Sequence, residues 1–575
     1  MGRARRSVEE LLGAPVGGAG LAEPPVRPAS APTPSGAGRT GGALAMTGAH
    51  DAANRFDRTT ALWRPPLLSA DAAILPEKSV IDARSADIVR NDAFVQGAVA
   101  LHRDNIVGDQ YMLNSKPEFK ILGLDETWAS EFQEEVETWW SLCAESPDCW
   151  LDAARTLTFT GMVRLAIGAF LTSGEVLATS EWLRYATGPV KTAINMIDPD
   201  RLSNPGDQAN IDDIRAGVKL DRFGAALGYY IRNSHPSDFT LRRINDNFTW
   251  KFVPARKPWG RPQVIHIYEP MKPGQTRGIS ELVTALKEIK VAKRFRDIVL
   301  QNAVLNATFA AAIESNLPPE KVFEALGSNS DGNQAILDYA TEWLGAIGEY
   351  TDSARQMQLD GVKIPHLFPG TKLTLLPAGT GEPLGNNFEA SLNRYQAAAV
   401  GVSYEQYSKD YAETNYSSAR AGENNTWKFM RARKRMVADR FATLVFRNWL
   451  EEMIGQGAFK TLPNGAELIY TGDRLNMKFD ALAACEWIGA SRGQIDEDKE
   501  TKAAESRLKI GISTQEEECA RLGKDWRKVN AQLQREAEDR AKRGLKNAQE
   551  QETAMAEAAA ADDVDRAEEE TEDAE

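Results

Sequence analysis

The residues best equipped for chemistry are the acids, histidines and hydroxyls, and their spacing in this chain builds no recognisable catalytic set. There is no GxxxxGK[ST] phosphate loop, no HExxH pair, no GxSxG elbow and no acidic cluster with two-metal character. Asp198 and Asp200 flank Pro199, where acids around a proline at a strand end form a turn more readily than a cation site. The five histidines, His50, His102, His235, His266 and His366, are scattered, and His266 lies in the apolar run VIHIY, as a satisfied core histidine does. The four cysteines, Cys143, Cys149, Cys485 and Cys519, lack CxxC or Cys/His spacing and read as reduced thiols. The expectation is therefore a protein that is not an enzyme, with no cofactor and no metal.

Two segments carry polar side chains in an unusual pattern. Between Ser403 and Arg420, Tyr404, Tyr407, Tyr411 and Tyr416 alternate with Lys409, Asn415, Ser417, Ser418 and Arg420. Hydroxyl, amide and cationic donors of this kind could touch a sugar-phosphate backbone without reading sequence, while tyrosines between helices also pack helix corners. On residue types alone packing is the better reading. The basic run from Lys428 to Arg435 reads as a solvated helix face or as a set of subunit–subunit ion pairs.

The elements that must position these residues follow from periodicity and composition. The length of 575 residues suggests about three or four domain-sized units. Residues 1–50, rich in Gly, Ala and Pro, are expected to be a disordered arm, and 546–575 an acidic disordered tail. Residues 547–575 hold 12 acids and one base, a net of −11 within a chain total of −14, so the body is close to neutral. Residues 51–277 mix helices (80–107, 126–142) with short strands in TAINMIDPDRL, AGVKLDRFGAALGYYIRN and PQVIHIYEP, giving an α+β class. One helix is predicted from Gly278 to about Ser315, with Ser280 as N-cap and a length of ~50 Å. Leu317-Pro318-Pro319 ends it, a turn-rich α/β insert fills 316–385, and a second helix runs from Phe388 to Val402. A further helix spans about Ser418 to Ile454, then a strand-like ELIYTG, then helical segments to about residue 544 broken at GQID and GIST. No run of 18 apolar residues and no signal-peptide pattern is present, so neither membrane insertion nor secretion is expected.

Landmarks along the chain then form an ordered set. They are Trp63, Ser69-Ala70-Asp71, Arg90-Asn91-Asp92, Asn105-Ile106-Val107-Gly108, Gly174-Glu175 and Ile197-Asp198-Pro199-Asp200-Arg201-Leu202. Gly217-Val218, Pro273-Gly274-Gln275-Thr276-Arg277-Gly278 and Asn415-Tyr416-Ser417-Ser418-Ala419-Arg420 follow. Trp487-Ile488-Gly489, Gln494-Ile495-Asp496 with Lys499-Glu500, and Gly523-Lys524-Asp525-Trp526 close the series. In number, order and spacing from about Asp51 to Leu545 the chain resembles the lambda-type family of tailed-bacteriophage portal proteins. It departs at Gly108-Asp109, where the family places a second glycine shortly after the first, and only a local turn is affected.

The resemblance implies the portal fold of wing, stem, clip and crown, and a dodecameric ring of copies of this chain around an axial channel at one capsid vertex. It maps 51–277 and 417–483 to the wing, 278–315 and 386–402 to the stem helices, 316–385 to the clip, 403–416 to a tunnel loop and 484–545 to the crown. It implies passage of double-stranded DNA without sequence specificity during packaging and ejection. The implied partners are the terminase large subunit, head-tail connector proteins, and major capsid and scaffold proteins, with assembly in the host cytoplasm and no membrane. The implied DNA-facing residues are Tyr404, Tyr407, Lys409, Tyr411, Asn415, Tyr416, Ser417 and Arg420. Arg277, Gly278, Lys287, Lys290, Lys293 and Arg294 fall in the stem, and His366, Phe368 and Lys372 in the clip as terminase or connector docking residues. Two rivals predict different behaviour: a metal-dependent nuclease would cleave DNA, and a coiled-coil scaffold would form no closed ring.

Overall fold

Local capping rules divide the first helical region. The computed structural model describes residues 58–59, 62–184, 188–211, 213–238, 248–310, 357–359, 362–364, 384–412, 414–465, 477–493 and 497–544. After α1 (Ala70–Ile74), the run 80–107 is not one helix but two, α2 (Lys78–Asn91) and α3 (Ala93–Ile106). Asp92 breaks it: its backbone is extended, and its carboxylate accepts hydrogen bonds from the amides of Phe94 and Val95, as an N-cap does. β1 (Met112–Ser115), the short α4 (Phe119–Leu122), α5 (Glu126–Ala144) and α6 (Phe159–Ser173) follow. Asp125 caps α5 and Thr158 caps α6, whose far end stops at Gly174 with φ of 78°, the left-handed conformation that glycine adopts without penalty.

The expected strands are present. β2 (Glu175–Trp182) is the centre of an antiparallel three-stranded sheet, with β3 (Thr192–Ile197) on one side and β8 (Val264–Tyr268) on the other. Between them in the chain, β4 (Ile214–Arg215), β5 (Val218–Leu220), β6 (Ala226–Arg232) and β7 (Trp250–Pro254) form an antiparallel meander in sequence order. Leu177, Val218, Tyr229, Ile231 and Val264 make a small core between the two sheets.

The helix expected from Gly278 starts later. Ser280 does act as a cap, accepting from the amide of Leu282, but the turn it starts is a 3₁₀ segment, Glu281–Thr284. The long helix α7 is Leu286–Ala310, 25 residues and about 38 Å. Within the insert, β9 (Met357–Leu359) and β10 (Val362–Ile364) pair as an antiparallel hairpin, and the rest of 316–385 lies largely outside the described residues. The second long helix, α8, is Leu384–Val400, and its body packs along α7.

Beyond it, α9 (Tyr404–Ser408) and α10 (Tyr416–Arg433) lead into a π-helical turn at Lys434–Asp439, and the chain continues without a break as α11 (Arg440–Gly455). The stretch expected as one helix from Ser418 to Ile454 is thus continuous but carries an extra residue in its middle turn. α12 (Lys478–Leu482) and β11 (Cys485–Ile488) come next. β11 pairs with β1, and Trp487 packs on Trp140, Phe159 and Phe446, so residues 485–488 belong to the main core and not to the region expected to begin at 484. α13 (Glu497–Ile510), α14 (Gln515–Arg521) and α15 (Trp526–Arg543) complete the described chain, and none of the three contains a buried residue.

The main core gathers Val95, Val99 and Ile106 from α3, Phe132, Val136 and Trp140 from α5, Phe159, Met162 and Ile167 from α6, and Phe441, Phe446 and Trp449 from α11. Burying each of these large side chains contributes about 1.5–3 kcal/mol. Ile289 of α7, Ala397 and Val400 of α8 and Tyr407 of α9 join the same core, which anchors the base of the long helices to the body.

Candidate functional site

The site is built on that anchored base. Arg277 and Gly278, expected on the stem, precede its helix and sit in a buried ionic node. Glu175, fully buried at the start of β2, accepts from Arg277 Nε and Nη2 at 2.5–3.0 Å, from the amide of Gly278 at 3.0 Å, and pairs with Lys78 at 3.2 Å. His266 closes the ring at 3.0 Å. Burial opposes the Glu175 charge, but Arg277 and Lys78 overcome it and hold the carboxyl well below the usual range. The remaining guanidinium donors of Arg277 go to the carbonyls of Pro199, Leu202 and Ala216, tying both sheets to the entry of α7. Gly174 and Gly278 cross back to back, where a Cβ on Gly278 would come within 2.1 Å of the Gly174 oxygen.

On α7 itself, Lys287, Lys290 and Arg294 are exposed, opposite the buried Ile289 and Ala292. Lys293 differs, donating to the carbonyl of Asn91 at 2.7 Å. Arg296 lies over the Phe94 ring and pairs with Asp92 and Glu389, so it joins α3, α7 and α8.

The tyrosine segment is more ordered than a loop between helices. Ser403 forms a capping box with Gln406 and starts α9, and Lys409 ends it in the left-handed conformation, φ 60°. Tyr407 turns inward: it stacks on Phe94 at 5.5 Å, donates its hydroxyl to Gln396 at 2.9 Å, and is 3% exposed. This corrects the expectation that Tyr407 faces DNA, because the packing it completes removes it from any open surface. Tyr404 lies under Arg394. Lys409, Tyr411, Asn415 and Ser417 are exposed on one stretch, and Asn415 caps α10 by accepting from Ser418. Arg420 is half-exposed and reaches Glu500 of α13 at 3.9 Å. The side chain of Tyr416 and the residues His366, Phe368 and Lys372 lie outside what is described.

The turn at Asp198-Pro199-Asp200 is a 3₁₀ turn whose Asp198 carboxylate accepts from the Asp200 amide. His235, half-buried, comes within 3.6 Å of Asp200 and 4.0 Å of Asp198, both exposed, a grouping that the sequence, with 34 residues between Asp200 and His235, did not indicate. Glu175 and Arg277, separate landmarks in the sequence, are partners in the fold, a contact that nothing in their local spacing indicates. His102 donates from Nε2 to the Val400 carbonyl at 3.0 Å, and burial pushes it down to about 4, which leaves it a neutral packing residue. Cys143 and Cys149 are free buried thiols, in accord with the sequence.

Comparison with known proteins places this geometry. The family model described as "Phage portal protein, lambda family" matches residues 56–434. The portal protein of Escherichia phage N15 is 37% identical over 499 residues, covering 87% of this chain and 91% of the relative. Portal protein B of Escherichia phage lambda is 36% identical over 500 residues, with the same coverage. Among solved structures, the neck of an empty gene transfer agent particle aligns with 69% of this chain at 13% identity and a TM-score of 0.34.

Proposed function

The chain belongs to the lambda family of phage portal proteins, which are structural components of the virion. From that premise we propose that its copies close into a dodecameric ring at one capsid vertex and line the channel through which double-stranded DNA is packaged and ejected. The clip, 316–385, receives first the terminase large subunit and then head-tail connector proteins, and the wing meets major capsid and scaffold proteins. The protein guides and gates DNA and catalyses no step; the terminase supplies the energy.

The observation that carries the ring is the exposed apolar flank of the paired helices. Val291 and Ile298 of α7, on the side away from the buried Ile289, and Phe388 and Tyr395 of α8, about two turns apart, are exposed in the single chain although each helix buries its other flank. A surface of that character next to a buried one is what a repeating neighbour covers. Within the ring, Lys409, Tyr411, Asn415, Ser417 and Arg420 face the bore, together with Tyr404. A near-neutral body and few cations on this stretch let DNA slide, since each fixed phosphate contact adds salt-dependent affinity.

Class averages of negatively stained protein test the ring: closed rings with a central hole are expected, and only monomers or rods across a range of salt would overturn the reading. Lys409→Ala with Arg420→Ala is expected to leave rings intact while lowering packaged or retained DNA; unchanged packaging yield would remove these two residues from the channel.

A further inference from the structure

We propose that a basic cleft of this chain receives the acidic outer face of α5 from the neighbouring copy, so that these two surfaces are the halves of the ring contact. The proposal rests on the ring reading above.

The cleft has a volume of about 1210 Å³. Tyr229 of β6, Val264 and His266 of β8, Arg435 of the π turn, Arg440 of α11 and Trp487 of β11 are among its walls. Some of its cations are already neutralised: Lys434 pairs with Asp439 at 2.8 Å and Arg447 with Asp480 at 2.5 Å. Arg431, Arg435 and Arg440 are exposed and make no hydrogen bond or ion pair with any described residue. The π turn lies between Arg431 and Arg440, and its extra residue turns the face after it relative to the face before it, so that residues of both helices line the one cleft. Three guanidinium groups lining one cleft without an ion-pair partner among the described residues call for an acidic occupant.

α5 offers one. Its 19 residues contain Glu126, Glu131, Glu134, Glu135 and Glu137 and no Lys or Arg. Two of these are used internally: Glu135 accepts from the amides of Lys460 and Thr461, and Glu137 from the amide of Ser115. Glu126, Glu131 and Glu134 are exposed without a described partner. Beside them Trp139 and Leu142 are 37% and 66% exposed, an apolar contribution suited to the aromatic floor of the cleft.

Their placement in the molecule favours a ring over a two-fold dimer. Trp487 lies at the cleft floor, and behind it Trp140 of α5 packs against it at 5.8 Å. At about 100° per residue, Glu131, Thr138 and Leu142 lie within about 20° of directly opposite Trp140. Glu131, with Glu134 about 60° to its side, therefore looks away from the cleft across the core. Two different, complementary surfaces on opposite sides of one subunit are the requirement for a head-to-tail contact that closes by repetition.

The test uses the full-length chain in three forms: Arg435→Glu with Arg440→Glu, Glu131→Arg with Glu134→Arg, and all four together. Light scattering after size exclusion, with class averages, gives the assembled fraction. Each pair alone is expected to raise the concentration for half-assembly by about tenfold or more, and the four together to recover at least part of it. If either pair fails to match the wild-type melting curve, its neutral counterpart, Arg435→Gln with Arg440→Gln or Glu131→Gln with Glu134→Gln, replaces it, with the same expectation at smaller size. Rings at wild-type concentration from both single pairs overturn the contact. So does a loss on the basic side that the α5 reversal does not rescue but that truncation after Gly544 reproduces, which would give the cleft to the acidic tail. Intact rings that lose only DNA would give it to nucleic acid. If the wild-type chain forms no ring, the underlying reading fails first, and the two failures are distinct.

Discussion

At the scale of single residues, Glu175 is where the structure concentrates its electrostatic risk. Glu175→Gln leaves Arg277 and Lys78 buried with a lost counter-charge, and removing one member of such a set costs about 3–5 kcal/mol. Urea unfolding should show that loss, and Glu175→Gln combined with Arg277→Met should lose less than the two single changes added. Glu137 makes the opposite case. Burial raises it from 4.5 to about 7, so its contribution to stability is present below pH 4.5 and is lost as the pH rises through about 7. Melting temperature followed from pH 4 to 8 should fall across that window in the wild type and flatten there in Glu137→Gln. What the sequence disclosed at this scale was local. The Asp198 turn, the core character of His266 and the buried thiols each depend on neighbours within a few positions. The Glu175–Arg277 pair spans 102 residues, and no pattern of spacing in one sequence reports such a contact.

At the scale of elements, the helices and strands were legible wherever hydrophobic periodicity sets them, and their ends were not. Asp92 interrupts 80–107 because its side chain satisfies two amides, a choice that periodicity does not see. The π turn at Lys434–Asp439 leaves the 3.6-residue pattern nearly unchanged on either side, so the sequence reads as one helix although the faces before and after it are re-aimed. The tyrosine segment shows the same limit. Four tyrosines looked interchangeable, yet only the capping box of Ser403 fixes the turn that sends Tyr407 into the core. Ser403→Ala should cost about 1 kcal/mol by removing that cap. Tyr407→Phe should cost a similar amount by leaving Gln396 without its donor. Both are read as shifts of the denaturant midpoint, and a null effect of Tyr407→Phe would place the ring, and not its hydroxyl, as the packing element.

At the scale of the whole molecule, α13–α15 have amphipathic faces but bury nothing in the single chain, while Leu508, Ile510, Ile512, Leu522 and Leu533 stand exposed. Their links to the body are polar, such as Lys116 and Asn114 with Glu516, and a partly exposed ion pair of that kind contributes at most about 1 kcal/mol. Truncation after Arg492 should therefore leave the unfolding midpoint of the body nearly unchanged. The ring should respond differently, because helices that fully bury no apolar side chain at home can bury more against neighbouring copies. The truncated chain is expected to assemble at higher concentration or into rings of mixed size, measured by native mass spectrometry beside the full chain. A large drop in the body's own stability would mean that these helices support the subunit, and a ring population unchanged in size and concentration dependence would mean that the long helices and the wing suffice to close it.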